Sequence, residues 1–331
     1  MQADQPGHRE CDRNTTFVRT PSAGAYNNTN AQVRYIAKDA KAMNSVQRLA
    51  HNTTVRVGAC VLAVLIVVAL LAPWLGTLDP AAMDSSNINN AVGLRGSFAQ
   101  LDGSSVAHTF WFGSDSFGRD IYSRVLYGTR VSLTIGLVTA LVAIGIGALL
   151  GMLAGYFRLV DAVLMRFMDG LMAIPSILLA IALVAALGAQ LWTVVVAIAI
   201  PEIPRVTRLV RSLVLTLREE PFVEAAKALA TPTHIILWRH ILPNAMAPLI
   251  VQGTFVAAAA VLTEAVLSFL GLGLPADIPT WGNIMAEGRV QFSQHPGNVL
   301  FPAMFLVPTV LAINLLGDGL RDVLDPKFAK R

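Results

Sequence analysis

Six stretches of about twenty apolar residues, set apart by polar segments, constrain this chain more than any other feature. They lie at approximately 57–76, 131–155, 167–187, 190–208, 245–267 and 299–317. A helix rising about 1.5 Å per residue needs roughly that length to cross a hydrocarbon core about 30 Å thick. Inside such a core each backbone polar group must find its partner within the chain, so the expected fold class is all-α: a polytopic membrane protein with six transmembrane helices. Composition agrees, because 54% of the residues are hydrophobic and only 14% charged, against about 25% in a soluble domain. Pro175, Pro201 and Pro204 fall within the third and fourth stretches and predict kinks that neighbouring helices accommodate.

The charges orient these spans. Of the 25 Lys and Arg residues, five (Arg95, Arg119, Arg124, Arg130 and Arg289) lie on one side and the other twenty on the side of both termini. The positive-inside rule makes that second side cytoplasmic, so a bacterial inner-membrane protein with both termini inside is expected. Because the basic residues sort by membrane side, the net charge of +4 gives no reason to expect a nucleic-acid partner. The chain then divides into four parts. Residues 1–55 form a polar cytoplasmic tail, with a candidate interfacial helix near 37–51. Residues 56–130 hold the first span and an extracytoplasmic segment, 131–318 a five-helix core with a long inner loop at 209–244, and 319–331 a second cytoplasmic tail.

Several chemistries lack their residues. The two cysteines, Cys11 in a polar tail and Cys60 in an apolar run, make neither a disulfide framework nor a metal site. No GxxxxGK[ST] loop can cradle a nucleotide phosphate, no HExxH occurs, and no nucleophile–base constellation is evident. Catalytic residues, a metal site and a cofactor bound by the chain itself are therefore not expected, and ATP would have to be handled by another protein.

The inner loop is unusual. From Glu224 it reads EAAKALATPTHIILWRHILPN, after the polar break Arg218–Pro221. Helix formers from Phe222 to Leu229, a turn at Thr231-Pro232-Thr233 and apolar residues from Ile235 to Ile241 predict a helix–turn–helix at the membrane surface. This segment resembles the EAA loop of the permeases of bacterial binding-protein-dependent ABC importers. Glu224, Ala225, Ala226, Leu242 and Pro243 match that pattern, while Ala230 stands where the family has Gly. Gly permits a left-handed turn that Ala resists, so Thr231-Pro232 is expected to supply the reversal instead. The resemblance implies a loop seated in a cleft of a cytosolic ATPase. Small Ala225 and Ala226 would allow close approach, and Glu224 would offer an anion to a partner's Arg or Lys. Moving a pore from about 1:99 to 99:1 takes roughly 5.5 kcal/mol of differential binding, within reach of a nucleotide-clamped partner.

Three further segments resemble the dipeptide, oligopeptide and nickel branch of those permeases. In HTFWFGSDSFGRDIYSRVLYGTRVSL, from His108 to Leu133, the matching residues are Phe112, Gly113, Asp115, Gly118, Arg119 and Asp120. The second and third are TEAVLSFLGLGLPADIPTWGNIMAEGR, from Thr263 to Arg289, and NLLGDGLRDVLDPKF, from Asn314 to Phe328. Arg119 with Asp115 or Asp120 has two readings, an ion pair that pins the outer loop or a contact with an incoming peptide or its carrier. Glu264 also has two, a structural partner within the protein or a polar lining of the solute path. Asp169 reads most simply as a surface pair with Arg166, and Arg205, Arg208 and Arg211 as interfacial anchors. The resemblance implies a type I importer permease fold and an assembly with a second homologous permease, two cytosolic ATP-binding subunits carrying ATP and Mg, and an extracytoplasmic solute-binding protein. Peptides are the implied solute, with nickel chelates and glutathione-like molecules as alternatives. An ion-gradient-driven secondary transporter is the competing class.

Overall fold

A computed structural model describes residues 51–99 and 104–324. The tail at 1–55, with its candidate interfacial helix, and residues 325–331 fall almost wholly outside that range. Asn52 opens helix α1, Thr53–Leu71, its side-chain oxygen accepting from the Thr54 and Val55 N–H groups at 2.9 and 3.3 Å. A 3-10 turn over Ala72–Trp74 ends the helix.

The outer segment departs from the all-α expectation. It contains an antiparallel hairpin of β1, Leu94–Ala99, and β2, Ser105–Phe110, in a register that sets Leu94 opposite Phe110 and Ala99 opposite Ser105. Phe98 and Phe110 turn inward onto Leu78 and Ala82. An open two-stranded edge is admissible only outside the hydrocarbon, where water satisfies the unpaired backbone groups, and the hairpin belongs to the polar segment between the apolar helices α1 and α2.

Eight more helices follow among the described residues. They are α2, Ile121–Tyr156; α3, Arg158–Met172; α4, Ser176–Leu187; α5, Leu191–Leu217; α6, Pro221–Ala228; α7, Thr233–Phe269; α8, Trp281–Gly288; and α9, Gly297–Leu324. Residues expected in the C-terminal tail from 319 are thus helical as far as Leu324. Four helices (α1 with its 3-10 turn, α2, α7 and α9) are long and apolar enough to cross a membrane, and five crossings result if α3 and α4 make one bent span. That pair meets at 89° around Ala173–Pro175, where Pro175 ends the helical path. Helix α5 runs unbroken through Pro201 and Pro204, but Glu202, Arg205, Arg208 and Arg211 dilute its second half. By length and apolarity alone the described helices thus supply four or five crossings, and of the kinks expected at Pro175, Pro201 and Pro204 the first is a right-angled break while α5 stays helical through the other two.

Helices α2 and α5 pack most intimately. Gly147, Gly151 and Gly155 make a strip every fourth residue, and a Cβ on any of them would lie 2.6 Å from the Cβ of Val206, Val210 or Val214. With little hydrophobic force between helices in lipid, such close backbone approach is what holds them together. The core continues from this seam into the inner loop through Val223, Ala226, Ile236 and Ile241. A second cluster joins α2 and α7 to Trp281 of α8 and Leu306 of α9.

Candidate coupling loop and outer charge cluster

The inner loop folds as an elbow. Pro221 sits in the first turn of α6, where its missing N–H costs nothing, and the helix ends in a Schellman turn. Thr231 N–H donates to the Ala226 carbonyl at 3.0 Å and Ala230 N–H to the Lys227 carbonyl at 2.9 Å. Ala230 itself takes the left-handed conformation, at φ 52°. The expectation that Thr231-Pro232 would spare it this strain is corrected: the two closing hydrogen bonds hold Ala230 in the left-handed turn despite its methyl group. The second half is not a separate helix but the start of α7. Residues Ile236–Ile241 are wound as a π-helix, and Leu242 N–H donates to the Leu237 carbonyl. Pro243 follows with no N–H to offer, and the wider turn just ahead of it lets the helix continue.

The motif residues separate into two faces. Glu224 and Ala225 are exposed, and the Glu224 carboxylate makes no ion pair among the described residues. Ala226 is only 6% exposed and packs inward with Val223 against Ile236 and Leu237, so it serves the elbow's own packing rather than the expected contact surface. Leu242 is half-buried and Pro243 exposed. Sequence reading missed Phe222 and Leu229, which stand out from the same helix at 39% and 81% exposure. An acid flanked by exposed apolar side chains on one short helix is the makeup of a docking face. The elbow is also tied to α2: Arg218 Nη1 donates to the Gly155 carbonyl at 3.2 Å, and Lys227 Nζ to the Arg218 carbonyl at 3.4 Å.

Beside the elbow the arginines of α5 find carboxylates. Arg208 pairs with Asp169 at 2.7 Å, which displaces the expected Arg166–Asp169 pair. Arg211 binds both oxygens of Asp161, and Arg205 holds Glu202 at 2.8 Å. These arginines are ion-pair partners, two of them locking α5 to α3, rather than the free interfacial anchors expected.

In the loop before α2 the four motif residues Asp115, Gly118, Arg119 and Asp120 all lie inside the protein. Arg119 Nε donates to Asp115 Oδ2 at 2.7 Å, the pair foreseen from sequence. Two unforeseen residues complete the cluster. Arg124 Nη1 bridges Asp115 and Glu287, both at 2.9 Å, while Arg119 also reaches Glu287. Both guanidinium groups face the Ala276 carbonyl. With Arg119 and Arg124 each 1% exposed and Asp115 5%, the cluster staples the loop before α2 to α8, the ion-pair arrangement among the two readings from sequence. Asp120 caps α2, accepting from Ser123 N–H at 2.8 Å, with His108 Nε2 3.4 Å away. Gly118, at φ 73°, lies against Asp84, whose carbonyl oxygen would be 1.8 Å from an added Cβ. Hydrogen bonds from the Ser86 hydroxyl and the Ala99 N–H hold the Asp84 carboxyl at about 2, below the usual carboxylate range.

Glu264 is fully buried in α7. Ser268 donates to its Oε1 at 2.8 Å, Ser132 and Thr280 stand close enough to interact, and Oε2 completes no hydrogen bond. Its side chain is 0% exposed and faces neither solvent nor a described cavity.

A model of the binding-protein-dependent transport system inner membrane component matches residues 143–330. The chain belongs to this family. A second model, the N-terminal transmembrane domain of oligopeptide transport permease C, matches residues 44–91. A probable peptide ABC transporter permease of Sinorhizobium fredii is 46% identical over 87% of this chain and 94% of its own length. The dipeptide transport system permease of Alkalihalophilus pseudofirmus is 43% identical over 85% and 88%. A glutathione transport system permease of Pectobacterium atrosepticum is 46% identical over 69% and 75%. Among solved structures, a chain of the MetNI methionine ABC transporter in inward-facing conformations superposes with a TM-score of 0.50, covering 62% of this chain and 98% of its own. At 21% identity the two share a fold. Family membership makes the chain an inner-membrane transport component and leaves the nucleotide chemistry outside it.

Proposed function

We propose that the chain is one of two permeases of an ATP-driven peptide importer, and that the α6 elbow carries the motion of a cytosolic ATPase into α2 and α7. The observation that carries this reading is the exposure of Phe222, Glu224, Ala225 and Leu229, on and at the end of a short helix that lies between an arginine tied to α2 and, across one tight turn, the start of α7. The peptide assignment is supported by relatives named for peptide and dipeptide transport along most of the chain. A glutathione-like solute, itself a peptide, is the alternative supported by the relative named for it. In this reading α5 and the bent α3–α4 pair complete six crossings, and both termini lie in the cytoplasm. A second homologous permease forms the other half of the path. Two ATP-binding subunits hold ATP and Mg, and a solute-binding protein delivers from outside.

Reversing the charge at the elbow tests the proposal. Glu224→Lys leaves membrane abundance nearly unchanged, because the side chain is exposed and unpaired, while ATPase co-purification weakens and peptide uptake is lost. Normal uptake at normal abundance would contradict the assignment.

A further inference from the structure

Two carboxamides on one helix have polar groups that the protein's own hydrogen bonding leaves unused. In its stretch from Leu242 to Leu262 helix α7 carries two carboxamides, Asn244 and Gln252, eight residues apart. Gln252 hydrogen-bonds to no described residue, and Asn244 donates only to the His240 carbonyl. Gln252 lies within the fifth apolar stretch, where a carboxamide is costly unless it faces protein or water, and Asn244 at its inner edge; both border a cavity of about 660 Å3. Leu209 of α5, Val251 and Phe255 of α7 and Arg321 of α9 also border it. Arg321 is exposed and makes no ion pair among the described residues. From Asn244 to Phe255 the cavity follows α7 for about 16 Å, roughly half of the hydrocarbon core.

We infer that this cavity is the inner half of the solute path, in which Gln252 and Asn244 hydrogen-bond the peptide groups of the passing solute and Arg321 takes its terminal carboxylate. The inference rests on the peptide-importer reading and adds the residues and the solute group they recognise. A carboxamide both donates and accepts, as a peptide unit does, and a guanidinium matches a carboxylate bidentately. Leu209, Val251 and Phe255 supply apolar walls that accept varied side chains without selecting among them. The volume falls within the roughly 300–1,000 Å3 usual for small-molecule sites.

Two measurements on the complete transporter test it. In inside-out vesicles, with Cys11 and Cys60 replaced by Ser, Gln252→Cys is modified by a membrane-impermeant maleimide, and trapping the transporter with ATP and vanadate slows the reaction. No modification in any nucleotide state would overturn the placement of the path. In the second measurement, Arg321→Gln raises the half-saturating concentration for peptides with a free carboxylate by about tenfold, the worth of one charge-assisted contact, and Arg321→Lys restores part of it. C-terminally amidated peptides are transported equally by all three forms. An equal loss for both kinds of peptide would overturn the carboxylate assignment. Uptake that proceeds without ATP would instead sink the importer reading, while the maleimide result would stand by itself.

Discussion

Ala230 holds a conformation that its side chain disfavours. A non-glycine residue in the left-handed region costs on the order of 1 kcal/mol, and here two closing hydrogen bonds enforce it. Ala230→Gly relieves that strain but widens the unfolded ensemble, so it stabilises the elbow by only a few tenths of a kcal/mol and leaves uptake intact. Ala230→Val, β-branched at φ 52°, opens the turn. Limited proteolysis from the cytoplasmic side reads both, with faster cleavage at the elbow in the valine form alone. Asp84 makes a second residue-scale prediction. Its carboxyl titrates near 2 in the folded protein against 3.8 as an ordinary carboxylate, so the folded state binds its proton later than the unfolded state. The stability it lends is complete above pH 4 and drains as pH falls from about 4 to about 2. Protease protection of the β-hairpin, measured over that range, should fall in the native chain and stay flat in Asp84→Asn.

At the scale of elements, the α2–α5 seam sets how far any movement of the elbow can be shared. Gly151→Leu forces a side chain into a space where even a Cβ would lie 2.6 Å from Val210. Overpacking of that kind costs about 1–3 kcal/mol, and the two helices would separate. Detergent-solubilised transporter carrying Gly151→Leu should aggregate at a lower temperature than Gly145→Leu, because Gly145 has open space around it. Much at this scale is legible in the sequence. Apolar length marks α1, α2, α7 and α9, since transfer free energy accumulates residue by residue, and Glu224 and its neighbours mark the elbow. The Gly147-Gly151-Gly155 spacing was there to be read as a packing strip. What sequence withheld depends on distant partners. Asp169 pairs with Arg208 on another helix instead of nearby Arg166, and Glu287 lies more than 160 residues from the arginines it neutralises. The hairpin was hidden because two six-residue strands leave a faint alternation beside six long apolar runs. The right-angled bend at Pro175 was foreseen as a kink, but its size follows from how α3 is tied to α5.

At the scale of the whole molecule, the two sides of the membrane do different work. The outer loops are stapled by buried, mutually neutralised charges, a construction that keeps them in one arrangement. The inner side combines an exposed elbow, a π-wound entry to α7 and a polar cavity beside it. In the proposed reading, a chain built this way receives force from the cytoplasm and passes it along α2 and α7. Site-specific photo-cross-linking from position 224 in intact cells tests that claim most directly. The account predicts an adduct with the cytosolic ATP-binding subunit, formed in energised cells and diminished by Phe222→Ala or Leu229→Ala. An adduct only with an extracytoplasmic protein, or none with any nucleotide-binding subunit, would contradict it.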